Sequence, residues 1–150
     1  MQTFPKENLA GQYSNLPMDI VHFGPGSYKQ ISEELDKAGV KNAVVITGNS
    51  LATKTDLVEK LKHTLGNRCA GVFSNTIQHV HRDSVINAAA FSREKGADCI
   101  ISFGGGTPND TAKAVLICLA ENITEKKQLD NFRIKFEYPD KVEIPSLTND

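Results

Sequence analysis

The chain has 150 residues, 23% of them charged and 39% hydrophobic, and a formal net charge of −1. That is ordinary globular composition, long enough for one domain with a core. The near-neutral balance, with a pI near 6.4, leaves no basic field, so neither nucleic acid nor a membrane surface is an expected partner.

No segment has the length of apolar sequence that a bilayer span needs. The opening MQTFPKENLAGQ has no apolar signal core and no Arg-rich amphipathic stretch, so a cytoplasmic protein is expected. Cys69, Cys99 and Cys118 are odd in number and form no C-x-x-C pair. Cys99 and Cys118 lie in apolar runs and read as buried free thiols of a reducing compartment.

In chain order, apolar runs alternate with helical patterns. Ile20–Phe23 reads as a short strand, and Tyr28–Ala38 as a helix stopped by Gly39. Ala43–Thr47 (AVVIT) reads as a buried strand, followed by a helix through Leu57, Val58, Leu61 and Leu65 that Gly66 closes. Ala70–Phe73 is a third strand, and Val85–Lys95 a helix closed by Gly96. Cys99–Phe103 is a fourth strand, and Pro108–Ala120 a fourth helix. Four strand–helix units in a row predict an α/β fold, a parallel sheet with helices on both faces. The core is expected over about residues 20–121 of a single domain. Residues 122–150 read as a charged connection ending in one more strand, Val142–Pro145, after which a further element is expected.

Three glycine-containing turns follow these strands: Phe23–Ser27 (FGPGS), Thr47–Ser50 (TGNS) and Phe103–Thr107 (FGGGT). All three are expected at the carboxyl ends of strands, where open α/β sheets bind ligands. In the third, Thr107 fits an N-cap, Pro108 the first helical position and Asp110 the third, a capping box. Such a helix start is an anion site, and Gly104, Gly105 and Gly106 let a diphosphate approach the backbone. Lys113 adds a positive charge nearby. A cap alone needs at most one glycine, so three favour phosphate binding over a plain turn. Ser27 and Gln30 form a second capping-box pattern, so the first turn fits a plain helix cap and a phosphate site equally. Neither G-x-x-x-x-G-K-[ST] nor G-x-G-x-x-G fits, since Asn109 holds the last glycine's place.

The run GGGTPNDTAK resembles the GGGSxxDxAK signature of the metal-dependent, iron-type alcohol dehydrogenase family. Gly104, Gly105, Gly106, Thr107 (for Ser), Asp110, Ala112 and Lys113 carry the match. FGPGS, ITGNSL and GADCIISFGGG are similar to neighbouring stretches of that family, and the likeness runs from Phe4 to Ile144. The family includes maleylacetate reductases and shares its fold with dehydroquinate synthase and glycerol dehydrogenases. It departs at Leu147, where a threonine is usual.

The resemblance implies a Rossmann-like dinucleotide-binding domain in which Gly104–Thr107 hold the pyrophosphate of NAD(P). Gly48, Asn49 and Ser50 then neighbour the adenosine ribose, and Asp110 and Lys113 support the site. Family members preferring NAD often carry Asp in that ribose turn. Its absence here favours NADP, with Ser50 as a donor to phosphate. A second, helical domain holding Fe²⁺ or Zn²⁺ is implied by the family and lies outside this chain, so no metal ligand is assigned.

The implied reaction is hydride transfer between NAD(P)H and a small carbonyl or alcohol, maleylacetate among them. A non-catalytic nucleotide-binding fragment and a dehydroquinate synthase-like lyase stand as alternatives. A truncated domain of this kind is expected to expose apolar surface and to self-associate as a homo-oligomer. His79 and His81 read as polar loop residues without a third ligand, His22 as a core or edge histidine, and His63 as solvated; the resemblance implies that the loop after the third strand approaches the cofactor, which makes Arg82 a weak phosphate candidate.

Overall fold

The computed structural model describes residues 19–138 and 141–146. The likeness of residues 4–18, the opening sequence and the departure at Leu147 lie outside them. Three parallel strands form the main sheet: β1 (Ala43–Thr47), β2 (Cys69–Phe73) and β3 (Cys99–Phe103), in the order β2-β1-β3. Strand β1 lies between the other two and all five of its residues are buried. A strand covered on both faces reads as a continuous apolar run, and AVVIT is one.

Alternate residues of β1 serve two cores. Ala43 and Val45 pack with Ile101 against Leu35 of α1 (Ile31–Lys37) and Leu61 and Leu65 of α3 (Leu57–Leu65). Val44 and Ile46 face the other way. They meet Val85, Ala88 and Ala89 of α4 (Arg82–Glu94) and Ala112, Val115 and Cys118 of α5 (Gly106–Ala120). The fold is therefore α/β, with helices on both faces of a parallel sheet.

The short helix α2 (Asn49–Lys54) leaves the end of β1 ahead of α3. The sequence reading has no counterpart for α2, whose six residues include none that is buried and so carry no apolar periodicity. Gly39, Gly66 and Gly96 end α1, α3 and α4 with positive φ, as glycine stop signals predict.

Four expectations are corrected. Ile20–Phe23 forms no strand; Val21 and Phe23 are exposed, and no described strand offers them a ladder. His22 instead meets Glu34 of α1 at 3.1 Å. The turn at Gly24–Gly26 therefore does not follow a strand. Ser27 is the first residue of a 3₁₀ turn (Ser27–Gln30) whose cap is Gly26, with no side-chain cap bond, so the Ser27/Gln30 box does not form. Cys99 is half-buried and only Cys118 is fully buried. Burial pushes the thiols of all three cysteines up from their ordinary value.

Residues 122–138 and 141–146 carry more structure than their composition suggests. A 3₁₀ segment, Lys126–Phe132, starts from a formed capping box between Glu125 and Gln128. Strands β4 (Lys135–Glu137) and β5 (Lys141–Glu143) then pair as an antiparallel hairpin. The expected last strand is thus found in β5, paired with β4 and not with the main sheet.

Candidate functional site

The order β2-β1-β3 places the switch point between β1 and β3, since the chain leaves β1 toward one side and arrives at β3 on the other. Both strands end there in register, with Thr47 opposite Phe103. The two turns that follow are Gly48–Ser50 and Gly104–Thr107. The structure therefore brings together the two glycine turns that the sequence singles out.

One buried threonine fixes their spacing. The Thr47 hydroxyl donates to the Phe103 carbonyl at 2.7 Å, and the Thr47 carbonyl accepts from the Thr76 hydroxyl at 3.0 Å. Gly48 also bridges Asn75, in the loop after β2. The ends of all three strands are thus joined through Thr47 and Gly48. Sequence reasoning missed this role because a threonine ending an apolar strand looks like ordinary strand composition.

The three glycines differ in what they require. Gly104 has φ +142°, and a Cβ there would stand 2.9 Å from Cγ of Pro108. Its glycine is explained by the backbone alone. Gly105, at φ −89° and ψ −153°, is extended backbone that any residue adopts. A Cβ on Gly105 or on Gly106 would meet nothing within 4 Å. No atom of the described residues asks for glycine at either position, and both are exposed. The cradle that a Cβ would fill is open to a ligand, at the N-terminus of a 15-residue helix. The geometry thus fits a dinucleotide's diphosphate.

The helix start is two residues earlier than the sequence predicts. Its N-cap is Gly105, with no side-chain cap bond, and the first ladder bond runs from Asn109 N–H to the Gly105 carbonyl at 3.4 Å. Pro108 is tolerated in the first turn because N–H groups there have no intrahelical acceptor anyway. The Thr107/Asp110 capping box therefore does not form. Thr107 instead accepts from the Thr111 hydroxyl through its carbonyl, at 2.8 Å. Asp110 lies one turn in and pairs with Lys113 at 3.2 Å, both exposed. Lys113 lies two turns into the helix on an exposed pair, and the N–H groups of Gly105, Gly106 and Thr107, at the helix start, have no acceptor within the helix.

Asn49 and Ser50 are exposed in the first turn of α2. His79 and His81 are exposed in the loop after β2, and His63 is exposed on α3. Arg82 opens α4 and pairs with Asp130 at 2.6 Å; that partner raises its pKa further. Among the described residues, no three His, Cys, Asp or Glu side chains are grouped so as to hold a metal ion. They do not fit the metal that the resemblance implies. No described helix is long and apolar enough to cross a membrane.

Residues 19–147 match the model of one protein family, iron-containing alcohol dehydrogenase. The chain belongs to that family. Iron-containing alcohol dehydrogenases are oxidoreductases, and members use NAD(P) and iron. This one is similar to maleylacetate reductase of Sphingobium indicum, with 35% identity over 107 residues, covering 71% of this chain and 29% of that one. It is 32% identical over 124 residues to the long-chain primary alcohol dehydrogenase of Thermoanaerobacter ethanolicus, covering 79% of this chain and 30% of the relative. Among solved structures, maleylacetate reductase from Agrobacterium tumefaciens superimposes with a TM-score of 0.63 at 32% identity, over 71% of this chain and 29% of that one. The chain thus spans about 29% of the length of the first curated relatives it matches.

Proposed function

We propose that this chain binds NAD(P) across the ends of β1 and β3, as the dinucleotide-holding part of an oxidoreductase that acts on a small carbonyl or alcohol. The observation that carries the reading is the pair Gly105 and Gly106, glycines that the chain's own packing does not require. The N–H groups at the start of α5 hold the diphosphate, and the absent side chains leave it room. Gly48 and Asn49 border the adenosine ribose. The Ser50 hydroxyl donates there, and with no carboxylate in the turn NADP is favoured over NAD. When bound, the dinucleotide supplies or accepts the hydride.

The substrate class follows the relatives, which are named for maleylacetate and for long-chain primary alcohols. Hydride transfer itself is proposed for a protein that has the further length of those relatives.

Calorimetric titration of the purified chain with NADPH and NADH tests the reading. Binding is expected, tighter for NADPH, and lost in Gly105→Asp. A Cβ there meets nothing within 4 Å among the described residues, so the fold is expected to stay intact by circular dichroism, while the carboxylate repels the diphosphate. A folded chain that binds neither dinucleotide refutes the proposal.

A further inference from the structure

We infer that Arg82 reads the 2′-phosphate of the dinucleotide, making the start of α4 the determinant of NADPH over NADH. The inference rests on the dinucleotide reading above and deepens it.

The ribose turn Gly48–Ser50 has no acid to repel a 2′-phosphate, but it has no cation to attract one. Lys54 stands at the far end of α2. The loop 74–81 abuts the turn and leads directly into Arg82. Gly48 bridges Asn75, and the Thr76 hydroxyl lies 3.8 Å from where a Cβ on Gly48 would stand. The Ser84 hydroxyl donates to the Asn75 carbonyl at 2.9 Å. The first turn of α4 is therefore fastened to the very residue that bridges Gly48, and Arg82 opens that turn.

The loop's backbone is held in an unfavourable shape. His79 and Val80 are successive non-glycine residues at φ 64° and 53°. For a β-branched residue such as Val80 this is a strained conformation. Packing of Val80 against the core of α4 and α5 maintains it. Strain of this kind is kept where surrounding structure imposes it, and it gathers at binding sites. His79, His81 and Arg82 are all exposed where this loop enters α4.

The neighbouring acids do not cancel this charge. Asp83 is engaged by Lys126 at 2.6 Å. Asp130 is the present partner of Arg82, at 2.6 Å, and both side chains of that pair are about half exposed. A surface pair of this kind holds weakly, whereas a phosphate offers a guanidinium a doubly charged, bidentate acceptor. Asp130 is thus a competitor that the 2′-phosphate displaces.

Titration of the wild-type chain, Arg82→Gln and Asp130→Asn with NADPH and NADH tests the assignment, with thermal midpoints as the control for folding. Arg82→Gln is expected to weaken NADPH about tenfold, as the loss of one charge-assisted hydrogen bond does, and to leave NADH unchanged. Asp130→Asn is expected to tighten NADPH alone. An unchanged NADPH-to-NADH ratio in Arg82→Gln overturns the assignment while leaving the dinucleotide reading standing. A wild-type chain that binds neither overturns both.

Discussion

At the scale of single residues, three consecutive glycines have two different explanations, and substitution separates them. Alanine at Gly104 forces a side chain into left-handed backbone and against Pro108 at 2.9 Å. Gly104→Ala is expected to destabilise the fold by about 1–3 kcal/mol. Alanine at Gly106 removes backbone freedom from the unfolded chain, where the folded conformation is ordinary helix. Gly106→Ala is expected to stabilise the chain by about 0.4–1 kcal/mol, and to weaken dinucleotide binding. Urea unfolding of the two variants checks the opposite signs. A destabilised Gly106→Ala would remove the argument that its glycine is kept for a ligand. From sequence alone the three positions are indistinguishable, because φ and open space are properties of the fold.

At the scale of elements, the far end of the sheet is closed by a carboxylate. Asp98, just before β3, accepts from the backbone N–H groups of Lys41 at 2.8 Å and Asn42 at 2.9 Å. Its own N–H donates to the Asn42 carbonyl at 3.0 Å. The Lys41 N–H first, then that of Asn42, holds the Asp98 carboxyl below its ordinary 3.8. A depressed folded value gives stability that is present above the unfolded value and lost as pH falls through the folded one. The stability difference between wild type and Asp98→Asn is therefore expected to be constant at neutral pH and to shrink below 3.8. Denaturation midpoints across that range measure it; a difference that grows on acidification contradicts the staple.

The elements also show what was legible in the sequence. The bounds of β1 and β3 are legible because each is a short apolar run, AVVIT and CIISF, that a glycine follows directly. Both turns at the switch point were found for the same reason, since each follows directly on such a run. Ile20–Phe23 has equal apolar character and forms no strand, because a strand is defined by its neighbour and composition carries no pairing. The start of α5 was misplaced because Thr-Pro-x-Asp satisfies the capping rule locally, while the fold begins the helix at Gly106. Arg82 and Asp130 are 48 positions apart in the chain, and only the packing of the 3₁₀ segment against α4 brings them together.

At the scale of the whole molecule, apolar surface is left uncovered. Phe23, Phe136, Tyr138 and Ile144 are each 72–97% exposed, and Leu116 on the outer side of α5 is 53% exposed. The β4–β5 hairpin that carries Phe136 is a two-stranded ribbon, a form that is marginal on its own in water. The isolated chain is expected to self-associate through these residues, with little dependence on salt because the contacts are apolar. Light scattering at low and high ionic strength checks this, and a monodisperse monomer in both would refute it.

Thr47 has a consequence that reaches beyond its own strand. Its hydroxyl and carbonyl each make one bond, to opposite sides of β1, so the gap between the glycine turns is set by a side chain with no exposed surface. The two turns on which the proposed dinucleotide site rests are thus tied to each other through the strand ends, by a residue that the ligand itself would not touch.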